Sequence, residues 1–223
     1  MPRRVVQGGA LRCERCRFTP RWCICAGERT ITCPLAIDVL IHQREFWRPT
    51  STGRLIARVI PAARHHIYRP DRPLDGPAIR LPDRELWILH PSGAPLPATA
   101  SPPSLQILLL DGAWREATRM MHEVEGWGRL VSLPMTGPSR YRLRQQHDGG
   151  NCSTVEALLF LLEALSLPDE HTALRLQFEL HVYAGLRTRG DKAAAEEFLA
   201  DSPLREAMPE LLAELNRRRP RES

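Results

Sequence analysis

Short runs of apolar residues are spaced along the first half of the chain. The runs cover residues 34–42, 85–91 and 104–111, and each one ends in a polar residue or a turn. Nearly continuous apolar runs of this length are typical of strands in a parallel sheet that is covered on both faces. The pattern therefore predicts an α/β fold. Because ligands of such sheets bind beyond the carboxyl ends of the strands, we expect His42 and Asp111 to lie at the functional edge.

Helical periodicity occurs between and after these strands. Apolar residues recur with a helical period in residues 52–63 and 113–124, and residues 128–134 predict a further strand. From Ser153 to about Arg219 the pattern predicts three or four helices. Their expected breaks are near Pro168, Gly190 and Pro203.

Composition limits the classes of protein to which the chain can belong. It has 223 residues, of which 43% are apolar and 26% charged, as in an ordinary soluble globular protein. We expect one main core with a small appendage. No apolar run is long enough to cross a bilayer, and the arginines near the start precede no continuous apolar stretch of a secretory signal. The predicted location is the cytoplasm, without membrane contact.

Arginine supplies nearly all of the positive charge. The net charge is +5, and Lys192 is the only lysine. Residues 42–72 contain seven arginines but only two acidic residues, Glu45 and Asp71. The planar guanidinium fork suits phosphates and can stack on bases. This basic segment is therefore a candidate RNA surface, although an arginine-rich chain can also reflect the composition of its genome.

Four of the six cysteines lie within thirteen residues. Their spacing is C-x2-C-x6-C-x-C, and the residues are Cys13, Cys16, Cys23 and Cys25. In a cytosolic chain, four clustered thiolates suit a tetrahedral structural zinc site better than disulfides. Metal binding would then supply much of the folding free energy of this cysteine-containing segment, which we call the knuckle. A redox pair and unliganded surface thiols are the alternatives.

Asp111 and the residues near Ser153 each have a structural as well as a chemical interpretation. Asp111 follows a predicted strand and precedes a predicted helix, so it is either a general base or the N-cap of that helix. The spacing from Ser153 to Glu156 before an apolar run is a capping box, which needs no catalytic role. The chain has no G-x-G-x-x-G, Walker A or G-x-S-x-G motif. The Rossmann, P-loop and α/β-hydrolase classes are therefore not indicated.

The order of several motifs resembles the DTW-domain family, the tRNA-uridine aminocarboxypropyltransferases, from about Cys13 to Leu186. The four clustered cysteines, with Arg15 and Pro20, are similar to the family's C-x-R-C…P…C-x-C pattern. His42, Glu45 and residues 48–56 are similar to H-x-x-E…R-P-T-N-T-G-R-L-I, with Ser51 in place of Asn. The L-x-P-S motif is similar to Leu89, Pro91 and Ser92, and the D-x-T-W motif is similar to Asp111 and Trp114. The S-x-Y-x-L-R motif is similar to Ser139, Tyr141, Leu143 and Arg144. The S-T-x-E-A motif is similar to Ser153, Thr154, Glu156 and Ala157. Ala113 stands in place of the motif Thr.

The resemblance implies a SPOUT-like α/β fold, with a knotted parallel sheet flanked by helices, an N-terminal zinc knuckle and a helical C-terminal extension. It implies that uridine N3 attacks the γ-carbon of the methionine moiety of S-adenosylmethionine. The 3-amino-3-carboxypropyl group would pass to tRNA, with release of 5′-methylthioadenosine. The implied partners are tRNA and this donor, and we expect a monomer. If the motif Thr binds donor or uracil, Ala113 lacks that contact; if Thr only packs or caps, Ala113 is harmless.

The matched motifs also imply roles for individual residues. Asp111 is the expected base for the N3 proton. Donor binding is expected at Leu89, Pro91, Ser92, Asp111, Trp114, Ser153, Thr154 and Glu156. Substrate binding is expected at His42, Glu45, Arg48, Arg54, Arg140, Tyr141 and Arg144. Trp114 or Tyr141 would stack on the uracil, and a core position is the alternative for Trp114.

Three segments and two rival functions complete the expectations. The segments are the knuckle (1–33), the catalytic domain (34–190) and the helical extension (191–223). The first rival is a SPOUT-like RNA methyltransferase, which would accumulate S-adenosylhomocysteine instead of methylthioadenosine. The second is a non-catalytic zinc-containing RNA-binding protein in which Ala113 marks lost activity, and this protein would fail to bind the donor.

Overall fold

A five-stranded parallel sheet forms the centre of the molecule. The computed structural model describes residues 11–97, 101–134, 137–144 and 152–217. The strands are β1 (Ala36–His42), β2 (Arg64–Tyr68), β3 (Glu85–Pro95), β4 (Leu105–Asp111) and β5 (Arg129–Ser132). Their order across the sheet is β2-β1-β4-β3-β5, and every neighbouring pair is parallel. The predicted α/β fold with a parallel sheet is confirmed.

Helices pack against both faces of this sheet. They are α1 (Gln43–Phe46), α2 (Thr52–Val59), α3 (Gly76–Ile79), α4 (Trp114–Glu123), α5 (Thr154–Ala164), α6 (Pro168–Thr188), α7 (Lys192–Ala200), α8 (Leu204–Ala207) and α9 (Pro209–Asn216). The predicted breaks near Pro168, Gly190 and Pro203 are confirmed, because α6 begins at the first, ends just before the second, and α8 follows the third. The sequence predicts at most four helices after Ser153, whereas the described residues form five. Pro209 at the first position of α9 separates it from α8.

β2 is the strand of this sheet that the hydrophobic pattern does not predict. It is an edge strand with the sequence RHHIY, and its neighbour is β1. Two of its polar side chains contact the buried Asp38 of β1: Arg64 donates a hydrogen bond to the carboxylate (2.9 Å), and His66 Nε2 lies 2.6 Å from it. The same carboxylate accepts a hydrogen bond from Gln106 of β4 (2.7 Å). Burial acts to raise the pKa of Asp38. The hydrogen bonds from His66, Arg64 and Gln106 outweigh burial, so the pKa lies below its ordinary value.

β3 leaves the sheet briefly near its carboxyl end. Leu89 and Ala94 both pair with Val131 of β5, so residues 90–93 form an excursion from the ladder. Gly93 passes close to β5, because a Cβ at this position would lie 2.5 Å from backbone atoms of Val131. The excursion contains the middle of the L-x-P-S motif and presents it at the carboxyl ends of β3 and β5.

The larger hydrophobic core lies on the sheet face covered by α2, α5 and α6. A smaller hydrophobic cluster lies on the other face, where residues of the sheet pack against Met120 of α4 and Val124, which follows α4. The knuckle and the last helices belong to the larger core, which includes Phe18 and Leu212. Because they share this core, the boundaries at residues 33/34 and 190/191 remain predictions. No helix in the described ranges has the length and apolar character needed to cross a bilayer.

Candidate functional site

Asp111 lies at the carboxyl edge of the sheet, as the sequence predicts. It is the last residue of β4 and pairs with Ile41, the neighbour of His42 on β1. Its Oδ2 accepts a hydrogen bond from the Ser51 hydroxyl at 2.9 Å, and its Oδ1 accepts one from the Thr154 hydroxyl at 2.5 Å. Asp111 is only 5% exposed. Two neutral donors therefore fix the carboxylate, and each oxygen keeps a lone pair for a further proton or hydrogen bond.

Ser51 holds both α2 and Asp111. Its Oγ accepts the Arg54 N–H at 3.2 Å as the N-cap of α2, and its hydroxyl donates to Asp111. One hydroxyl thus fills two roles that the motif Asn would divide between its amide oxygen and nitrogen. Gly53 lies against the carboxylate, because a Cβ there would be 2.7 Å from Asp111 Cγ. A larger residue at position 53 would displace Asp111.

The interpretation of Asp111 as an N-cap is wrong. The N-cap of α4 is Ala113, two residues further on, and Gly112 separates it from the end of β4. The Ala113 N–H donates to Glu116 Oε2 at 2.8 Å, which is one half of a capping box. The alanine methyl group cannot accept the second bond. A Thr at this position would complete the box, so the structure gives the motif Thr a capping role.

His42 lies beside Glu116 at the same edge. Its Nδ1 is 3.3 Å from the Arg44 N–H and 3.3 Å from Glu116 Oε1, and its ring packs against Tyr68. The two contacts require opposite states of Nδ1, because it must be unprotonated to accept from Arg44 and protonated to donate to Glu116. The tautomer of His42 therefore decides whether Glu116 binds the imidazole or only the Ala113 amide.

Glu45 is a second buried carboxylate near this edge, and it holds two of the predicted tRNA-binding arginines. Its Oε1 is 2.6 Å from Arg48, and its Oε2 pairs with Arg144. The Glu45 side chain is inaccessible, whereas both guanidiniums remain partly exposed. The pair with Arg144 connects α1 to residues 139–144. Arg48 and Arg144 thus have an internal partner, with donor groups still facing solvent.

Glu156 completes the predicted capping box and anchors the segment that contains Tyr141. Its N–H donates to Ser153 Oγ (3.3 Å), and its carboxylate accepts the Ser153 N–H (2.7 Å), so the box is confirmed. The same carboxylate accepts the Ser139 hydroxyl (2.8 Å) and the Arg140 N–H (2.7 Å). The Tyr141 hydroxyl donates to the Thr50 carbonyl at 2.5 Å. These bonds bring residues 139–141 and the start of α5 next to Ser51 and Asp111.

Trp114 is 56% exposed, so its alternative core position is wrong. The His90 ring lies nearly parallel to the indole, with 6.4 Å between their centroids, and His90 Nδ1 is 2.7 Å from Ser92 Oγ. Leu89 is buried beneath this group, while Pro91 is exposed. The excursion of β3 and the start of α4 therefore form an open aromatic surface beside the end of β4.

Arg54 and Arg140 point to internal partners. Arg54 lies 5.3 Å from the centre of the Phe46 ring and donates to the Arg15 carbonyl of the knuckle at 3.4 Å. Burial and the nearby charge of Arg17 lower the pKa of Arg54. Arg140 pairs with Glu179 at 3.0 Å and lies over the Phe198 ring. A phosphate would have to share these guanidiniums with groups of the protein.

The four clustered cysteines converge on one point. Their sulfur atoms all lie within 4.8 Å of one another, with Cys13 and Cys25 sulfurs at 3.5 Å and Cys16 and Cys23 sulfurs at 3.7 Å. These separations exclude disulfides, whose sulfurs lie about 2 Å apart. Four sulfurs bound at about 2.3 Å to a tetrahedral ion would be about 3.8 Å apart. The cluster can therefore hold one metal ion.

The surroundings of the thiols lower the pKa of Cys13 but raise the pKa values of Cys16 and Cys25. Burial acts to raise the pKa of Cys13, but hydrogen bonds from the backbone at Cys16 and Arg15 and from neighbouring thiols lower it to about 6. Burial raises the pKa of Cys16. The mostly buried Arg58 guanidinium lies near the thiols and pairs with Glu28. Backbone donors and a nearby cation are what a thiolate-metal centre requires in its surroundings.

Glu116 and His90 are members of the site that the sequence analysis did not select. Glu116 stands three residues after Ala113, the spacing of a capping box, but Ala113 removes the hydroxyl residue that marks this motif. His90 lies inside the L-x-P-S segment, and its contact with Trp114 depends on the excursion of β3. A search for glutamates three residues after each strand-to-helix turn could have found Glu116. No local signal marks His90.

The fold and the site define an α/β protein with a buried carboxylate at its strand ends and a cluster of four thiols that can hold a metal ion. Comparison with known families matches the DTW domain over residues 10–184, which is most of the chain. The chain therefore belongs to the DTW-domain family, and the predicted resemblance is confirmed. This family is associated with tRNA-modifying activity. No solved structure matches the chain.

Proposed function

We propose that this protein is a tRNA-uridine aminocarboxypropyltransferase that uses S-adenosylmethionine as its donor. The observation that carries the proposal is the Asp111 carboxylate, which is held by the Ser51 and Thr154 hydroxyls at the carboxyl edge of a DTW domain. A carboxylate fixed by neutral donors can accept a proton without first breaking an ion pair. It is also negative, which suits a site for a sulfonium donor.

Asp111 would act as the general base. It takes the proton of uridine N3, and the N3 lone pair then forms a bond to the γ-carbon of the donor's methionine moiety. The bond from that carbon to sulfur breaks, and its electron pair stays on sulfur as neutral 5′-methylthioadenosine. The choice of carbon depends on the orientation of the donor, because a methyltransferase presents the methyl group of the same molecule.

The start of α5 is suited to the donor's amino acid portion. Thr154 is the first residue of α5, and the first N–H groups of a helix have no partner within it. These amides and the positive end of the helix dipole favour a carboxylate. The hydroxyl of Thr154 joins this position to Asp111 at 2.5 Å. The exposed Trp114, Pro91 and Ser92 would contact the remainder of the donor or the uracil.

The arginines at the edge would bind tRNA. Arg48 and Arg144 keep exposed donor groups beside Glu45, and Tyr141 and His42 line the same region. The parallel sheet is compatible with the SPOUT-like, knotted topology that the resemblance implies, and we propose that topology. We also propose a cytoplasmic monomer, as the sequence predicts.

Zinc is the metal that we propose for the thiol cluster. Zn²⁺ prefers four thiolates in structural sites, and Cys13, Cys16, Cys23 and Cys25 leave no position for a reacting ligand. The protein should contain one zinc per chain, and removing it should lower the melting temperature. Metal analysis of the purified protein is the test. Protein from a zinc-sufficient culture that contains no metal and reacts freely at all four thiols would contradict this assignment.

Mass spectrometry of tRNA nucleosides tests the reaction. The protein is incubated with tRNA and S-adenosylmethionine, and the nucleosides and the released thioether are identified. We expect uridine that carries the aminocarboxypropyl group, with an equal amount of methylthioadenosine. A methylated nucleoside with S-adenosylhomocysteine would identify the methyltransferase. A metal-loaded protein that neither binds the donor nor changes tRNA would identify the non-catalytic RNA-binding protein.

A further inference from the structure

The seven arginines of residues 42–72 fall into two groups. Four have partners in the fold: Arg48 pairs with Glu45, Arg54 with Phe46 and the knuckle, Arg58 with Glu28, and Arg64 with Asp38. The other three are exposed, and their side chains have no hydrogen bond or ion pair to any residue that the structure describes: Arg44, Arg69 and Arg72. The positive charge that is available to a ligand is therefore concentrated in fewer places than the sequence indicates.

Arg69 and Arg72 lie together at a cavity. The Arg72 N–H donates to the Arg69 carbonyl at 3.0 Å, so the chain turns immediately after β2. The two arginines, with Ile67, Pro73 and Leu74, line an open cavity of about 310 Å³. Ile67 is 39% exposed at the strand end. The cavity thus combines two free guanidiniums with an apolar wall.

The cavity is at the same edge of the sheet as Asp111. Tyr68, which precedes Arg69, pairs with His42, and Ile41 pairs with Asp111 on the next strand. Neighbouring strands are about 4.8 Å apart, so the end of β2 lies about 10 Å across the sheet from the end of β4. A chain-like anionic ligand whose reacting group is at Asp111 can therefore extend to the cavity.

We infer that this cavity binds a backbone phosphate of the tRNA substrate, close in sequence to the modified uridine, with the adjoining ribose against Ile67 and Leu74. The inference rests on the proposed function. Guanidiniums bind phosphate oxygens through two donors at once. The lining residues offer charge and apolar surface but no buried polar group that could read a base edge, so the contact positions the RNA without selecting its sequence.

Asp71 lies in the same turn and provides a control of opposite sign. It is exposed and is not paired with either arginine in the described structure. Its negative charge would repel a phosphate in the cavity. Asp71→Asn should therefore strengthen tRNA binding if the phosphate is there, while Arg69→Ala and Arg72→Ala should weaken it. A general loss of folding cannot produce these opposite effects.

The experiment measures tRNA affinity at several salt concentrations for the zinc-loaded protein and its variants. Each arginine that contacts a phosphate contributes about 0.7–0.9 to the slope of log affinity against log salt. The loss of tRNA affinity in Arg69→Ala or Arg72→Ala, relative to wild type, should thus be about threefold larger at 50 mM than at 200 mM salt. For the double variant the loss should be about tenfold larger at the lower salt concentration. Donor binding should not change. Arg80→Ala is the matched control, because Arg80 is exposed but follows α3 at the opposite edge of the sheet.

The outcomes separate this inference from the proposed function. A wild-type protein that modifies tRNA, with unchanged affinity and salt slope in the double variant, would overturn the phosphate site alone. Equal losses in Arg80→Ala would overturn it too, because the effect would then be one of net charge. A wild-type protein that binds no tRNA would overturn both proposals. Melting temperatures verify that each variant is folded.

Discussion

Two buried aspartates on neighbouring strands, Asp38 on β1 and Asp111 on β4, have opposite surroundings. Asp38 lies in the middle of the sheet and is bound by the cation Arg64, by His66 and by the Gln106 amide. Asp111 lies at the strand end, and its described partners are hydroxyl groups. A carboxylate neutralised by a cation loses its ion pair when it takes a proton. A carboxylate held by hydroxyls can take one while its hydrogen bonds remain.

This difference distinguishes a stabilising carboxylate, Asp38, from Asp111, which we propose as the general base. Asp38 joins the polar edge strand β2 to the centre of the sheet, and the Arg64 guanidinium neutralises its negative charge. Asp111 is held in place by parts of the chain that come from α2 and α5. Burial alone therefore does not mark the functional residue. The chemical type of its partners is the feature on which we base the proposed role of Asp111.

The largest expected effect is that of Asp111→Asn on transfer. Asparagine has nearly the same shape but cannot accept the N3 proton, and general base catalysis contributes about a hundred- to ten-thousand-fold. Single-turnover transfer should fall within that range, while the melting temperature and the affinities for donor and tRNA stay close to wild type. Transfer at the wild-type rate would show that Asp111 is not the general base, and the contrast between Asp111 and Asp38 would then fail.

Asp38→Asn should have the converse effect. It removes the charge that compensates Arg64, and breaking a buried ion pair costs about 3–5 kcal/mol. We expect a loss of about 3 kcal/mol in the free energy of unfolding, at the lower end of that range, because Arg64 is partly exposed and can turn to water. Denaturant unfolding measures the loss. Transfer by the remaining folded protein should be normal, and a loss of transfer with unchanged stability would contradict the structural role.

The same aspartate predicts a dependence of stability on acid. The pKa of Asp38 is below its ordinary value in the folded protein, because the hydrogen bonds and charge of its partners outweigh burial. The carboxylate therefore contributes stability above about pH 4, and this contribution disappears as the pH falls through the lowered folded pKa. The difference in unfolding free energy between wild type and Asp38→Asn should shrink over that range. A difference that is constant from pH 6 to the acid limit of folding would contradict this account.

Thr154→Val tests whether the hydroxyl partners position Asp111. Valine has the same shape without the hydroxyl, and Ser153 remains as the N-cap of α5. A hydrogen bond to a charged group contributes about 1.5–3 kcal/mol, so transfer should fall by about tenfold or more. The free energy of unfolding should also fall, by up to about 1.5–3 kcal/mol, so transfer is compared per folded protein. The Thr154→Ser variant keeps the hydroxyl and should recover most of the rate, which a purely structural role would not require.

Ala113→Thr has the smallest expected effect, and it is an increase. Ala113 has the extended backbone of an N-cap, and the Glu116 carboxylate already accepts the Ala113 N–H, which is one half of the capping box. A Thr hydroxyl would accept the Glu116 N–H and stabilise the protein by about 1 kcal/mol. Thermal unfolding measures the gain. If transfer also rose at unchanged stability, the motif Thr would act on the substrate rather than as a cap.

The sequence predicts the parts of the molecule whose cause is local. Apolar runs mark β1, β3 and β4, because strands covered on both faces need continuous apolar residues. The thiol cluster follows from the spacing of four cysteines, and the capping box follows from Ser153 and Glu156, three residues apart. The apolar run that ends at residue 111 predicts Asp111 at a strand end, and the structure confirms that position. The donor and tRNA contacts at the site stay predictions.

Only the tertiary structure decides which charged side chains already have a partner within the protein. β2 has no apolar pattern, since its polar side chains serve a buried carboxylate on another strand. Glu45 binds Arg144, which is 99 residues away, and Thr154 reaches Asp111 across 43 residues. Such pairs depend on how the sheet and its helices bring distant segments together, and no local periodicity encodes them. The sequence by itself therefore determined four of the five strands, the capping box of α5 and the thiol cluster. The fold decided which carboxylate and which arginines remain free to act, because that depends on partners supplied by distant parts of the chain.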